Sequence, residues 1–256
     1  MSYSPEARLG HTTVNVYGPD GKLKRRRLIW ASGAAGGVKV DLKGNIYITD
    51  NVKPKGHLLP PELRDKIPAS RQWKHGFNWY TWMYGSVVKF PPEGGAVRIP
   101  SSFHRPQWPP EWHPPGGGRP PKPVAYRTWF GRPKVYVQNA LWVCPGISPA
   151  PALAGGCVCL VGRFDVDGFG RVFMPDVTCF RVRVVDANAN AILSFGSYGN
   201  MDSQGPGSAV PVPEIPFAWP QYVAVSDRAV YISDVVNRRI VRVRLDYRIS
   251  RSIPLK

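Results

Sequence analysis

Gly37-Val38-Lys39-Val40-Asp41-Leu42-Lys43-Gly44-Asn45-Ile46-Tyr47-Ile48-Thr49-Asp50 reads as strand, polar turn, strand, aspartate. Alternation with a period of two over both flanks is the pattern of a strand with unlike faces. The Asp-x-x-Gly-Asn centre supplies turn chemistry between them. The same grammar returns at Arg163-Phe164-Asp165-Val166-Asp167-Gly168-Phe169-Gly170-Arg171-Val172-Phe173-Met174-Pro175-Asp176, where Asp167 and Asp176 keep the spacing of Asp41 and Asp50. A third copy, with a shorter turn, runs from Pro220 to Asp234. Recurrence of one supersecondary unit is the mark of a repeat architecture.

Each copy has strands after it. Gly85–Phe90 and Ala96–Ile99 follow the first, Phe180–Val185 and Ala191–Gly196 the second, and Arg239–Leu245 and Arg248–Ile253 the third. Four antiparallel strands per unit make a propeller blade. The expected fold is therefore all-β, a β-propeller of four-stranded blades in one domain over residues 1–256. Its blade-like units are 12–29 (a partial hairpin around Gly18-Pro19-Asp20-Gly21), 36–99 with an insertion at 52–84, 163–196 and 217–253. Residues 100–162 are left as an irregular or degenerate blade, in which Val135–Gln138 and Leu141–Val143 are strand candidates. A propeller closes with four to eight blades of roughly 40 residues each. With three good blades and a hairpin, this array is incomplete unless another copy or the rest of a longer chain completes it.

The units resemble NHL repeats. The last matches best, with Val223-Ala224-Val225, Val230-Tyr231-Ile232-Ser233-Asp234 and Asn237-Arg238-Arg239-Ile240. Phe195-Gly196-Ser197-Tyr198-Gly199, with the Gly205-Pro206-Gly207 loop and Pro220, resembles the family's link between blades, while the second unit has Thr178-Cys179 where the Asn-Arg pair belongs. The resemblance implies that Asp50, Asp176, Asp234, Asn237 and Arg238 are structural repeat positions. It fixes architecture far better than activity, because propellers host many unrelated functions.

Composition narrows the partners. The 34 Lys and Arg against 17 Asp and Glu give a formal charge of +17, a field that attracts phosphate, acidic polysaccharide or acidic protein. Most cations alternate with apolar residues, as in Arg181-Val182-Arg183-Val184, which is a strand with a wet face. Lys22-Leu23-Lys24-Arg25-Arg26-Arg27 is the compact basic run. The most apolar stretch, Ala140–Gly162, is broken by prolines and glycines and is no membrane span. Met1–Gly10 lacks the apolar core of a secretory signal.

The candidate ligand platform lies in the two Trp- and Pro-rich insertions, 52–84 and 100–133. It comprises Trp73, His75, Trp79, Trp82, Trp108 and Trp112, flat stacking groups set among polar ones. The same tryptophans would serve to pack an insertion onto the scaffold. Cys144, Cys157, Cys159 and Cys179 cluster without a zinc spacing. A disulfide is favoured over buried thiols, and those over a thiolate metal site. Asp186-x-Asn188-x-Asn190 imitates the start of a calcium loop but lacks its glycine and distal glutamate, so a hairpin turn is expected. No cofactor is required, with calcium or zinc left open and no metal ligand assigned.

These features favour a non-catalytic binding or scaffold module that presents its loops to a protein or glycan. Two alternatives are a metal-assisted lyase- or lactonase-like propeller enzyme, using His57, His75 and the strand-ending aspartates, and a basic nucleic-acid binder. The cysteine cluster and the Trp- and Pro-rich loops lean towards an extracellular or periplasmic setting.

Overall fold

The computed structural model describes residues 12–31, 36–50, 52, 85–98, 136–149, 161–200, 203, 209 and 212–246. Among them the chain is all-β, with one 3-10 turn at Val177–Cys179. The strands are β1 (Thr12–Tyr17), β2 (Leu23–Ala31), β3 (Val38–Val40), β4 (Ile46–Asp50), β5 (Gly85–Phe90), β6 (Gly95–Arg98), β7 (Tyr136–Gln138), β8 (Trp142–Ile147) and β9 (Asp165–Val166). They continue with β10 (Val172–Asp176), β11 (Arg181–Val185), β12 (Ala191–Phe195), β13 (Ser197–Tyr198), β14 (Pro216–Phe217), β15 (Pro220–Val225), β16 (Ala229–Asp234) and β17 (Arg239–Arg244). No described helix is long and apolar enough to cross a membrane.

Four sheets carry the fold, in the orders β1-β2-β6-β7, β3-β4-β5-β8, β9-β10-β11-β12 and β15-β16-β17. The second and third are antiparallel throughout. One expected assignment changes. The segment read as the fourth strand of the first unit, 96–99, supplies β6 of the neighbouring sheet, parallel to β2, and β8 closes the second sheet in its place. The strand candidates between 135 and 143 therefore belong to two sheets, β7 to the first and β8 to the second, rather than to a blade of their own. The cause lies in the turn Pro91–Gly94. Gly94, at φ +85, passes beneath the Leu28 carbonyl, and Gly95 lies against the Phe90 ring and the Gln138 carbonyl. A side chain at either place would block the step onto the next sheet. The expected strand at 248–253 lies outside the described residues.

The sheets pack face to face in chain order. Leu28, Ile29, Ala31 and Val97 of the first meet Ile46, Ile48, Val88 and Phe90 of the second. Tyr47, Val87 and Ile147 on the other face of the second meet Phe164, Val172, Met174 and Val185. Phe173, Val182 and Val184 then meet Val223, Val230 and Ile232 of the fourth, together with Phe217 of β14. The second and third sheets are thus covered on both sides, and β4, β5 and β10 are buried along their whole length. The last strand, β17, alternates instead, with Ile240, Arg242 and Arg244 outward. Where the sheets come closest, Asp165 links three of them. Lys39 Nζ of β3 lies 2.8 Å from its Oδ1, and the Val225 amide of β15 donates to Oδ2 at 2.9 Å.

The turn geometry gives a graded test. Gly21 (φ +74) has open space around it, whereas a Cβ on Gly94 would overlap the Leu28 carbonyl. Gly21→Ala should cost about 1 kcal/mol, the left-handed backbone alone. Gly94→Ala should cost at least ~3 kcal/mol by urea unfolding, because backbone must also move.

Candidate functional site

The two edges of the stack differ in kind. On one, every connection is tight: Gly18–Lys22, Asp41–Asn45, Pro91–Gly94, Asn139–Leu141, Asp167–Arg171, Asp186–Asn190 and Ser226–Arg228. The other has short connections too, at Ala31–Val38, Asp176–Arg181 and Asp234–Arg239, but it alone carries the long ones, where the chain leaves and returns between Asp50 and Gly85, Arg98 and Tyr136, Ile147 and Asp165, and Phe195 and Pro220. Strand direction forces this segregation, since each tight turn sends the next strand back towards the opposite edge. Both Trp-rich insertions are therefore rooted on the edge marked by Asp50, Asp176 and Asp234.

These aspartates are built into that edge. Asp234 is fully buried; its Oδ1 accepts from the Ala218 and Trp219 amides at 3.1 and 2.8 Å, and its Oδ2 from Asn237 Nδ2 at 2.6 Å and Arg239 Nε at 3.3 Å. Asn237 also donates to the Gly199 carbonyl, and Arg239 to that of Pro216, so one carboxylate ties the end of β16 to the link from the preceding sheet. Asp176 repeats the design. Its Oδ2 accepts from Arg181 Nε at 3.1 Å and its Oδ1 from Ser148 Oγ at 3.2 Å, anchoring the segment after β8. After each aspartate the chain turns through a residue with positive φ, Phe180 or Arg238, and the arginine that follows makes the ion pair. Arg238 is thus the turn residue, and Arg239 makes the pair with Asp234. Asp50 is buried in the corresponding place at the end of β4.

Burial pushes the Asp176 carboxyl up, against the pull of Arg181. Breaking such a pair strands a buried charge, a loss of ~3–5 kcal/mol. Asp176 and Asp234 are structural clamps with their oxygens committed to scaffold donors.

The tight edge uses carboxylates differently. Asp41, Asp167 and Asp186 each accept from the amides two and four residues on, and the residue before the last has positive φ: Gly44, Gly170 and Ala189. The calcium-loop imitation at Asp186 is therefore a hairpin turn, its second oxygen taken by Asn190 Nδ2 at 2.9 Å. Asp41 also reaches the second sheet's interior. Its Oδ2 accepts from Tyr47 Oη at 2.9 Å and lies 3.7 Å from Lys89 Nζ, with the Asp41 and Lys89 side chains each 7% exposed. Lys89 Nζ and Trp142 Nε1 both donate to the Ala187 carbonyl of the third sheet, a polar clasp between two apolar layers. Nothing in Gly85–Phe90 announces this except a lysine inside an otherwise small and apolar run. Burial and the Asp41 carboxylate raise the Tyr47 phenol and keep it a donor.

Of the other candidates, Cys144 is a buried thiol, and burial pushes it up despite the nearby Arg183 guanidinium, which makes it a poor nucleophile or thiolate ligand. Cys179 is half-buried in the 3-10 turn. Cys157, Cys159, Trp73, His75, Trp79, Trp82, Trp108 and Trp112 lie outside the described residues, as does His57. No protein-family model matches the chain, and no curated protein matches it.

The Asp41 clamp has a pH signature. Burial alone would raise this carboxyl, but hydrogen bonds from Asn45, Tyr47 and Lys43 hold it below the ordinary aspartate range. A depressed folded value means stability that is present above about pH 4 and lost as pH falls through the folded pKa. Asp41→Asn should lower stability at neutral pH by ~1–3 kcal/mol. In urea melts between about pH 5 and pH 2 its stability should fall less steeply than that of the parent.

Proposed function

We propose that the chain is a non-catalytic binding module, a set of NHL-like propeller blades whose aspartate edge presents the insertions 52–84 and 100–133 to a protein or glycan partner. The observation that carries this reading is the segregation of connections. A scaffold with tight turns on one side and long chain excursions on the other is the arrangement in which loops carry recognition. The sequences rooted there hold Trp73, His75, Trp79, Trp82, Trp108 and Trp112, which suit stacking on sugar faces or filling pockets on a protein.

Support for blades comes from the successive face-to-face packing of three four-stranded sheets and a three-stranded one, and from the repeated clamp at Asp176–Arg181 and Asp234–Arg239. The metal-assisted enzymatic alternative drew on the strand-ending aspartates as ligands. It loses support because Asp176 and Asp234 spend their oxygens on amides, a hydroxyl, an amide side chain and arginines of the scaffold. In this reading the link Ser197–Phe217, with its short parallel pairing of β13 and β14, serves as the join between two blades.

A glycan array followed by titration of the strongest binder by tryptophan fluorescence tests the proposal. The double variant Trp79→Ala, Trp82→Ala should lose at least about tenfold in affinity, equivalent to ~1.4 kcal/mol. Phe169→Ala, an exposed aromatic on the tight-turn edge, should leave affinity unchanged. Equal loss in both variants, or no loss in the tryptophan variant, would remove the glycan reading from this edge.

A further inference from the structure

The basic run Lys22–Arg27 plays no part in any core, and its position is unusual. Strand β2 pairs with β6 at Ile29–Gly95 and Trp30–Ala96, so from Leu23 to Leu28 its strand partner among the described residues is β1 alone. Opposite this stretch β1 has only Asn15, Val16 and Tyr17, so at about 3.3 Å per residue the ribbon runs roughly 10 Å past its last pairing with the sheet. Every residue from Gly21 to Arg26 is exposed. Two contacts brace its base. Arg25 Nη2 donates to the Glu93 carbonyl at 2.7 Å, and the Arg27 guanidinium lies 5.4 Å from the Trp30 ring centre. Lys24 and Arg26 are exposed, and Lys22, 82% exposed, makes a loose pair with Asp20 at 3.7 Å.

A two-stranded ribbon on its own is marginal in water, and a run of like charges along it makes folding harder. The sequence here spends stability rather than gaining it. Lys24 lies at a register shift, between the pairs Tyr17–Leu23 and Val16–Arg25, so the cations do not simply alternate between two faces; Lys22, Lys24, Arg25 and Arg26 together crowd the exposed end of the ribbon. The major groove of B-form DNA, about 12 Å wide and walled on both sides by phosphates, admits a two-stranded ribbon and surrounds such an end with acceptors.

We propose that the β1–β2 ribbon is a docking element for double-stranded DNA, held by phosphate contacts from Lys22, Lys24 and Arg26. The ribbon leaves the tight-turn edge, opposite the edge on which the insertions of the proposed binding site are rooted. It takes a different class of partner, so either function can fail without the other.

The test uses the full chain and a fluorescein-labelled 20-base-pair DNA duplex of mixed sequence, read by anisotropy at several salt concentrations. The parent should bind, with affinity falling steeply as salt rises. The triple variant Lys22→Ala, Lys24→Ala, Arg26→Ala should bind at least 30-fold more weakly. The slope of log Kobs against log salt should flatten by about 2 to 3, from roughly 0.9 for each phosphate that is no longer neutralised. Its thermal unfolding should match the parent's, since all three side chains are exposed. No binding by the parent, equal binding by the triple variant, or tighter binding of the matching single strand or of heparin than of the duplex would each overturn the proposal.

Discussion

Everything in this structure follows from two sheets being apolar on both faces. Once β4, β5 and β10 are covered front and back, no water reaches their interiors, and polar groups near them must be satisfied locally. The sequence answers with carboxylates at the strand ends. Asp176 and Asp234 close one edge by pairing with an arginine five residues on and by gathering donors from the link to the preceding sheet. Asp41, Asp167 and Asp186 close the other by folding back on their own turns. The same residue type thus does two jobs, and which one it does depends only on the edge where its strand ends.

That division also fixes where variation is tolerated. A turn that uses its aspartate twice within five residues has no room for an inserted segment. The opposite edge tolerates long excursions because its clamps hold the strand ends whatever lies between them. The buried trio Asp41, Tyr47 and Lys89 belongs to the same logic, reaching the Ala187 carbonyl of the next sheet and keying the second sheet to the third. Apolar layers alone would slide; a charged group with one correct partner sets their register.

The repeat made most of the strands legible before any coordinates, because alternation and an aspartate-led turn are local signals. Val172–Asp176 and Ala229–Asp234 could be read from the sequence alone. The partnership of Gly95–Arg98 could not. Its alternation and the preceding Pro-Pro-Glu-Gly-Gly turn are those of an ordinary hairpin, and its true partner, β2, lies far back in the chain and runs parallel. Trp142–Ile147 was hidden for the complementary reason, a strand separated from its sheet by the whole of the second insertion. At the aspartate edge, the acidic positions were visible as repeats. Ser148 and Arg239 became visible only through geometry, and Arg238, adjacent to the pairing residue, drew the attention that Arg239 warranted. The aromatic platform read from the insertions lies outside the described residues, so its place on this edge rests on where its ends are rooted.

Native-state hydrogen exchange tests the central constraint most directly. If the inner strands of the second and third sheets are sealed on both faces and clamped at their ends, the amides of Ile46–Asp50 and Val172–Asp176 exchange only through global unfolding, with one shared free energy and one shared denaturant dependence. Those of the exposed outer strand Ala191–Phe195 then exchange through local opening at far lower cost. Exchange of β4 and β10 as fast as that of β12, or with no denaturant dependence, would contradict the account.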